Sequence, residues 1–451
     1  MPPYQSPIRP MSSCGRAMPL SLTDNRRRYP VERHDDLSSH PFDTENMYSI
    51  CDDQVLSENK SFSPTTDSGV SNRVLTLATL PLYLGGFLGP FGTMMVISIY
   101  PELRESFNAS TQAVNWAFSG YMIPFALLLT VSGTIGERFG RRRVIRFTFI
   151  TYALSSVLCV VAPTLTVFVI GRLLQGAANA FITPLLIAGL SEVIDPSRLG
   201  RAVGVYTGFQ AIGGAAAPFA GGVAAAFNWR IAFAVIAVVG LILATQPPEG
   251  QPRPAAAAPP IKPLLKPRMI LLWVAALSAA AGPAGLPMIV GLYLRDELLI
   301  SSTATGFILL FGGISGAIAG PIFGQLLDNW GARRSSFAAC LSSLAFSLPL
   351  GFITGAWLFA VAWTIAGALV GFIVVILQNL AAIAVPDNRG GALSSVLCFR
   401  FIGHGLGPLL WVPMFAWNPS WTFVIASGLG LITLASFVSS AQLMQQQPDT
   451  E

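Results

Sequence analysis

The sequence predicts an all-α integral membrane protein with twelve transmembrane helices in two pseudo-symmetric six-helix bundles. Composition is the first observation: of 451 residues, 53% are hydrophobic and only 11% charged, with a mean hydropathy of +0.60. Soluble domains carry about 25% charged residues. The second is length. From Arg73 onward the apolar runs are each about 20 residues, enough to span ~30 Å of hydrocarbon at ~1.5 Å per residue. The third is a device that occurs twice. Gly133-Thr-Ile-Gly-Glu137-Arg138-Phe-Gly140-Arg141-Arg142-Arg143 is echoed by Gly324-Gln-Leu-Leu-Asp328-Asn-Trp-Gly331-Ala-Arg333-Arg334. Both keep Gly, three residues, an acid, two residues, Gly, one residue, Arg, so the chain contains an internal repeat.

In chain order, residues 1–72 are rich in Ser, Pro, Asp and Arg, lack the apolar content of a core and carry no apolar signal-peptide region. They predict a disordered cytoplasmic tail, either regulatory through Ser/Thr phosphorylation or inert. Residues 73–246 form the N-terminal bundle, with helices expected near 74–99, 111–135, 144–164, 167–191, 200–225 and 229–246. Residues 247–268 are Pro-rich and too polar to span, and predict a cytoplasmic linker. Residues 269–442 form the C-terminal bundle, with helices near 269–293, 302–326, 335–353, 356–384, 391–415 and 420–442. Residues 443–451 are a cytoplasmic C-terminal tail. Lys and Arg gather on one side of these loops, including Arg138, Arg141, Arg142, Arg143, Arg146, Arg198, Lys266, Arg333 and Arg389, against Arg104, Arg230 and Arg295 on the other. The positive-inside bias therefore places both termini in the cytoplasm, with the plasma membrane as the expected location. Asn108-Ala109-Ser110, a glycosylation sequon, falls in the first extracytoplasmic loop. The five cysteines show no disulfide or metal spacing.

The repeated loop resembles the signature loop of the major facilitator superfamily, placed there between helices 2 and 3 and, more weakly, between helices 8 and 9. Its glycines permit a tight turn and close helix approach, its arginines hold the loop at the basic side, and its acid can face a helix N-terminus. The resemblance implies that Glu137 faces helix 11 near Gly391, and Asp328 helix 5 near Gly200. It assigns Gly133, Glu137, Arg138, Gly140, Arg141, Arg142, Asp328 and Arg333 to conformational gating. Helix 4 carries Gly171-Arg172-Leu-Leu-Gln175-Gly176, similar to the superfamily's helix 4 motif. An arginine inside a span costs at least ~2.5–3.5 kcal/mol and normally faces a cavity or a partner; a snorkelling Arg172 is the alternative. Helix 5 reads Gly204, Gly213, Ala217-Pro218, Gly221-Gly222. It resembles the antiporter motif of the drug:proton branch, with Ala217 replacing a glycine, and so implies export. Physically, the run from Gly213 to Gly222, with Gly221, forms a smooth seam expected at the interface between the two halves, and Pro218 bends the span there; a plain packing helix would use the same residues.

Helix 11 contains Arg400-Phe-Ile-Gly403-His404-Gly405-Leu-Gly407-Pro408. A lone intramembrane histidine is also an ordinary hydrogen-bonded core residue, and Arg400 could snorkel, so both readings stand beside the functional one. Beyond the N-terminal tail every Asp and Glu falls in a loop, a helix end or the C-terminal tail. The membrane interior therefore offers cations without an acid, which favours an anionic solute. Arg172, Gln175, Arg400 and His404 are the expected substrate and proton-coupling residues, Arg172 meeting Arg400 or His404 across the bundles. The expected function is export by alternating access of a small organic acid (an itaconate-like carboxylate) or an acidic secondary metabolite. Broad drug:proton antiport is the alternative, and a non-transporting receptor on the same fold the second. No Walker loop, metal-ligand cluster or triad points to an enzyme, and no cofactor or metal is expected. The partners are a small molecule, protons and the bilayer, with no nucleic acid, and a monomer is expected.

Overall fold

In the computed structural model, residues 75–76, 79–247 and 262–445 are described. The expected tail over 1–72, most of the linker, the last six residues and the side chains of Thr134, Glu137, Pro196, Asp387 and Gln445 lie outside that description. The described residues are helical and contain no strand.

The first pass, α1 (Leu80–Phe107), continues through a tighter 3₁₀ stretch at Met95–Ile99 and ends on Asn108 in the left-handed region, φ 46°. Ser110 then accepts the Ala113 N–H and starts the next pass, of which α2 (Trp116–Phe139) is the main part. Then follow α3 (Arg141–Val161), α4 (Leu165–Val193), α5 (Leu199–Ala225) and α6 (Arg230–Thr245). The second half opens with α7 (Pro267–Glu297), whose proline occupies the first turn, where its missing N–H costs nothing. A continuous helical stretch, Ser302–Ser347, is broken at Gly331 (φ 73°), giving α8 over 302–330 and α9 over 332–347. The chain closes with α10 (Ala356–Ala384), α11 (Arg389–Trp417) and α12 (Pro419–Gln445). Side-chain caps fix three of these starts: Thr164 accepts from Val167, Ser301 from Ala304 and Asn388 from Gly391.

By length and composition alone, nine helices among the described residues could cross a membrane. The break at Gly331, the shorter apolar α6 and the glycine-rich α5 bring the count of helical segments to the expected twelve. The expected loop before residue 335 is absent, because α9 begins directly after the glycine.

The repeat is visible in the backbone. Gly140 (φ 86°) and Gly331 (φ 73°) are the positive-φ glycines among the described residues, and they occupy equivalent places in the two copies. L-residues pay about 1–2 kcal/mol for the left-handed conformation, so both turns require glycine for the same reason.

Within each half, buried aromatics and small residues interlock: Tyr83, Tyr121, Tyr152, Phe168 and Phe233 in the first, Phe372, Leu380 and Phe437 in the second. The halves meet along α5 against α8 and α2 against α11.

Candidate functional site

The interface between the halves changes character along its length. At the face opposite the arginine-rich loops it is tight. A methyl group at Gly222 would collide with the Ser302 carbonyl of α8, and one at Gly306 with the Pro218 carbonyl of α5. Nearer the middle, Gly313 faces the Ala215 methyl at 2.8 Å. Toward the arginine-rich face the same helices part: methyls at Gly204 and Gly208 on α5, at Gly320 and Gly324 on α8, and at Gly133 on α2 would meet open space. The halves are thus in close contact at the face opposite the arginine-rich loops, and the glycines of these helices nearer the arginine-rich face have no close neighbour.

Ion pairs close the sealed end. Arg104, at the end of α1, holds Asp296 of α7 through two bonds of 2.6 and 3.0 Å and also donates to Thr111 Oγ1 at 2.9 Å. Reciprocally, Arg295 of α7 pairs with Glu102 of α1. Acid and base exchange places between the two helices, forming a clasp between the halves. In the sequence these four residues register only as loop charges. Their spacings, Glu102-x-Arg104 and Arg295-Asp296, give no sign of pairing across nearly two hundred residues.

The α5 seam has two faces. Gly213 and Gly221 abut the α1 carbonyls of Phe87 and Met95, inside their own half. Ala215, Pro218 and Gly222 touch α8 of the other half. The Pro218 carbonyl also accepts from Ser98 Oγ at 2.6 Å. The expected inter-half seam from Gly213 to Gly222 is therefore corrected to the face carrying Pro218 and Gly222, because a helix turns ~100° per residue and Gly213 and Gly221 point elsewhere.

Arg172 is fully buried. Its Nε donates to the Ala117 carbonyl at 2.7 Å, and Nη1 to the Gly92 carbonyl at 2.9 Å and to Gln175 Oε1 at 2.7 Å. The guanidinium lies 4.5 Å over the Tyr121 ring, and Gln175 passes the network on to Ser156 at 2.6 Å. Every one of these partners belongs to the first half. The structure brings Arg172 and Gln175 together but does not bring Arg172 to Arg400 or His404, and it leaves no guanidinium surface for a solute in this state. An arginine whose charge is spread over carbonyls and an aromatic face ties helices together.

Arg400 and His404 lie one turn apart on α11, both half-buried. The exposed Leu406 and Leu410 mark the lipid side of that helix, and Arg400 and His404 point away from it. Arg400 Nε is buried without a hydrogen-bond partner, and its guanidinium sits 5.2 Å from the Phe401 ring. Phe401 meets Phe125 of α2 edge-on at 4.7 Å and tilts against His404 at 6.3 Å. Cation, imidazole and two rings are therefore brought together where α11 of one half meets α2 of the other.

In the loops, Arg141 is buried, pairs with Glu192 at 2.7 Å and donates to the Ala188 carbonyl at 3.0 Å, fastening the start of α3 to the end of α4. Arg138 lies over Phe139, and Arg142, Asp328 and Arg333 are exposed. The expected position of Asp328 is near the start of α5 at Gly200; that helix start has no side-chain cap hydrogen bond. The N-terminus of α11 near Gly391 is capped by Asn388; Glu137, expected there, has its side chain outside the described residues. Asp195, in the turn after α4, accepts from the Ser197 N–H at 2.8 Å and from its hydroxyl, which holds its carboxyl below the usual carboxylate range. Among the described residues no cluster of His, Cys, Asp and Glu has metal-binding geometry.

Several known proteins are similar. An uncharacterized MFS-type transporter, YceJ of Bacillus subtilis, is 23% identical over 329 residues, 70% of this chain and 83% of that protein. The drug efflux pump JefA of Mycobacterium tuberculosis is 32% identical over 169 residues, 37% of this chain and 33% of that protein. The tetracenomycin C resistance and export protein of Streptomyces glaucescens is 26% identical over 163 residues, 36% of this chain and 30% of that protein. Among solved structures, a bacterial homologue of the human lysosomal transporter Spinster, in an inward-facing and unoccupied conformation, superposes with a TM-score of 0.70 at 17% identity, covering 84% of this chain and all of that one. The family model of the Major Facilitator Superfamily matches residues 82–408 and 272–443. With that match over most of the length and a described part made of long apolar helices, the chain belongs to the Major Facilitator Superfamily of multi-pass membrane transporters.

Proposed function

We propose that this transporter exports an anionic organic solute with an apolar or ring-bearing body, a small organic acid or acidic secondary metabolite, loading it from the arginine-rich face. One observation carries the reading: Arg400, half-buried at mid-membrane depth with an unpartnered Nε, stands beside His404 and the Phe125–Phe401 pair. An unpaired cation in a low-dielectric cavity is costly, and an arriving carboxylate supplies the missing partner, held by arginine in bidentate fashion. Phe401 and Phe125 would receive the apolar body. His404 would carry the coupling proton only with the solute in place, the arriving carboxylate offsetting the charge of Arg400 one turn away. The arginine-rich face is cytoplasmic in this reading, by the positive-inside bias, with both termini on that side. The protein works as a monomer in the plasma membrane, with Asn108 open to glycosylation outside.

Broad drug:proton antiport is the second reading, supported by the names of the partial relatives, a drug efflux pump and an antibiotic resistance and export protein. Sealed vesicles containing the purified protein separate the two. Flux of a small dicarboxylate, an aromatic carboxylate and a lipophilic cation is followed with and without a pH gradient, for the wild type, Arg400→Gln and His404→Gln. The anion reading expects carboxylate flux that falls at least tenfold in Arg400→Gln and loses its pH-gradient dependence in His404→Gln. Cation flux untouched by either substitution, with no carboxylate flux, hands the function to drug antiport. Absence of any flux favours a receptor.

A further inference from the structure

A trough of about 450 Å³ runs between α2, α3 and α4 at the arginine-rich face, lined by Leu128, Ile135, Phe139, Val144, Phe147 and Phe181 among others, with Arg143 as its one charged wall residue. It opens sideways rather than into the space between the halves: Phe147 is 71% and Phe139 62% exposed. From Phe139 at its mouth to Leu128 at its far end α2 rises ~16 Å, about the thickness of one leaflet's acyl layer.

Electrostatics at the mouth lack an anion. Three arginines, Arg141, Arg142 and Arg143, occupy the first turn of α3, where the helix dipole is already positive. Arg141 is neutralised by Glu192. Arg143 and Arg146, one turn apart and both exposed, have no acidic partner among the described side chains. Arg143 stands on the wall of the trough, and Arg146 lies one turn further along α3, outside the lining.

We propose that this trough is a binding site for one anionic phospholipid, whose phosphate bridges Arg143 and Arg146 and whose acyl chain lies along Leu128, Ile135, Phe147 and Phe181. Charge complementarity selects the occupant, because an apolar trough alone takes any lipid tail, whereas an unpaired arginine on its wall and a second one turn along the same helix distinguish headgroups. The molecule contains its own control. A second lateral trough of about 420 Å³, lined by Phe91, Phe219, Ala220, Val223, Phe227 and Val235 among others, has only apolar walls. The proposal rests on residence in a bilayer and is independent of the transported solute. A lipid seated there would brace α2 against α3 and α4 beside the turn at Gly140.

The test is native mass spectrometry of the full-length detergent-purified protein, titrated with equal amounts of dioleoylphosphatidylglycerol and dioleoylphosphatidylcholine. A single phosphatidylglycerol should persist in preference to phosphatidylcholine. Each arginine near an anionic surface contributes roughly a fivefold preference, so Arg143→Gln/Arg146→Gln should lower the ratio by up to about twenty-five-fold. Arg143→Lys/Arg146→Lys should keep most of the preference. Ala177 of α4 also lines the trough, so Ala177→Trp, which fills it without touching charge, should remove the tight adduct, while Val223→Trp in the apolar control trough should leave it intact. Equal retention of both lipids by the wild type, which needs no variant to fold, would identify ordinary annular lipid and overturn the proposal. So would a preference unchanged in the double glutamine variant.

Discussion

Arg172 and Arg400 are both arginines within helical spans, and their surroundings give them opposite tasks. Arg172 donates from Nε and Nη1 to the carbonyls of Ala117 and Gly92 and to Gln175, while Nη2 is buried without a hydrogen-bond partner; Arg400 makes no such bonds. Replacing it orphans buried acceptors on α1 and α2, at about 1–3 kcal/mol each. Arg172→Gln is therefore expected to lower the thermal midpoint in detergent by several degrees and to reduce transport of every solute alike. Arg400→Gln removes an unpartnered cation, and its midpoint should stay within about a degree of wild type while carboxylate flux collapses. A normal midpoint with selective loss of carboxylate flux in Arg172→Gln would return Arg172 to the solute site. Sequence reasoning identified both arginines as anomalous from their apolar context but could not separate them. What decides the matter is which backbone carbonyls of other helices lie within 3 Å, and carbonyls leave no mark on a sequence.

At the scale of the helix, α5 carries two seams on one glycine-rich surface. Its small-residue spacing was legible in the sequence, whereas the partner of each glycine was not, because assigning faces requires the rotation of α5 about its axis. Gly222→Leu drives a side chain into the Ser302 carbonyl of the other half. It should yield a folded, membrane-inserted protein with the sealed end held apart and transport reduced at least tenfold. Gly221→Leu strikes the Met95 carbonyl of its own half, so its expected defect is instability, seen as a lowered midpoint and poor recovery from membranes. Limited proteolysis and thermal unfolding of the two variants side by side check the distinction. Equal stability of the pair would mean that α5 shifts as a rigid unit and the two faces are not separate.

For the whole molecule, the repeated loop and twelve hydrophobic runs sufficed to anticipate the helix order and the glycine turns at residues 140 and 331. Those features are set by local chain stiffness and by water's exclusion from the bilayer, both of which a sequence records. Its closed end was not legible, since the clasp joins Glu102 and Arg104 to Arg295 and Asp296 across the two halves. Breaking one pair should favour opening at that face. In Glu102→Gln or Arg295→Gln carrying Ile97→Cys, a buried position beside Gly291 of α7, labelling by a membrane-impermeant thiol reagent should rise about threefold to tenfold over the Ile97→Cys background. Exchanging the charges in Glu102→Arg/Arg295→Glu should restore protection. Persistent labelling in the exchanged pair would show that geometry, rather than charge, holds the end shut.

Fastening one end with partly solvent-accessible ion pairs also makes the medium on that side an input to the transport cycle. Dissolved ions screen such pairs over about 8 Å at physiological concentration and about 3 Å at 1 M, while the glycine contacts deeper in the seam hardly respond. Rising salinity in that compartment alone would shorten the dwell time of the sealed state. The rate of exchange would then follow the osmotic history of the surroundings even where solute and proton gradients stay constant.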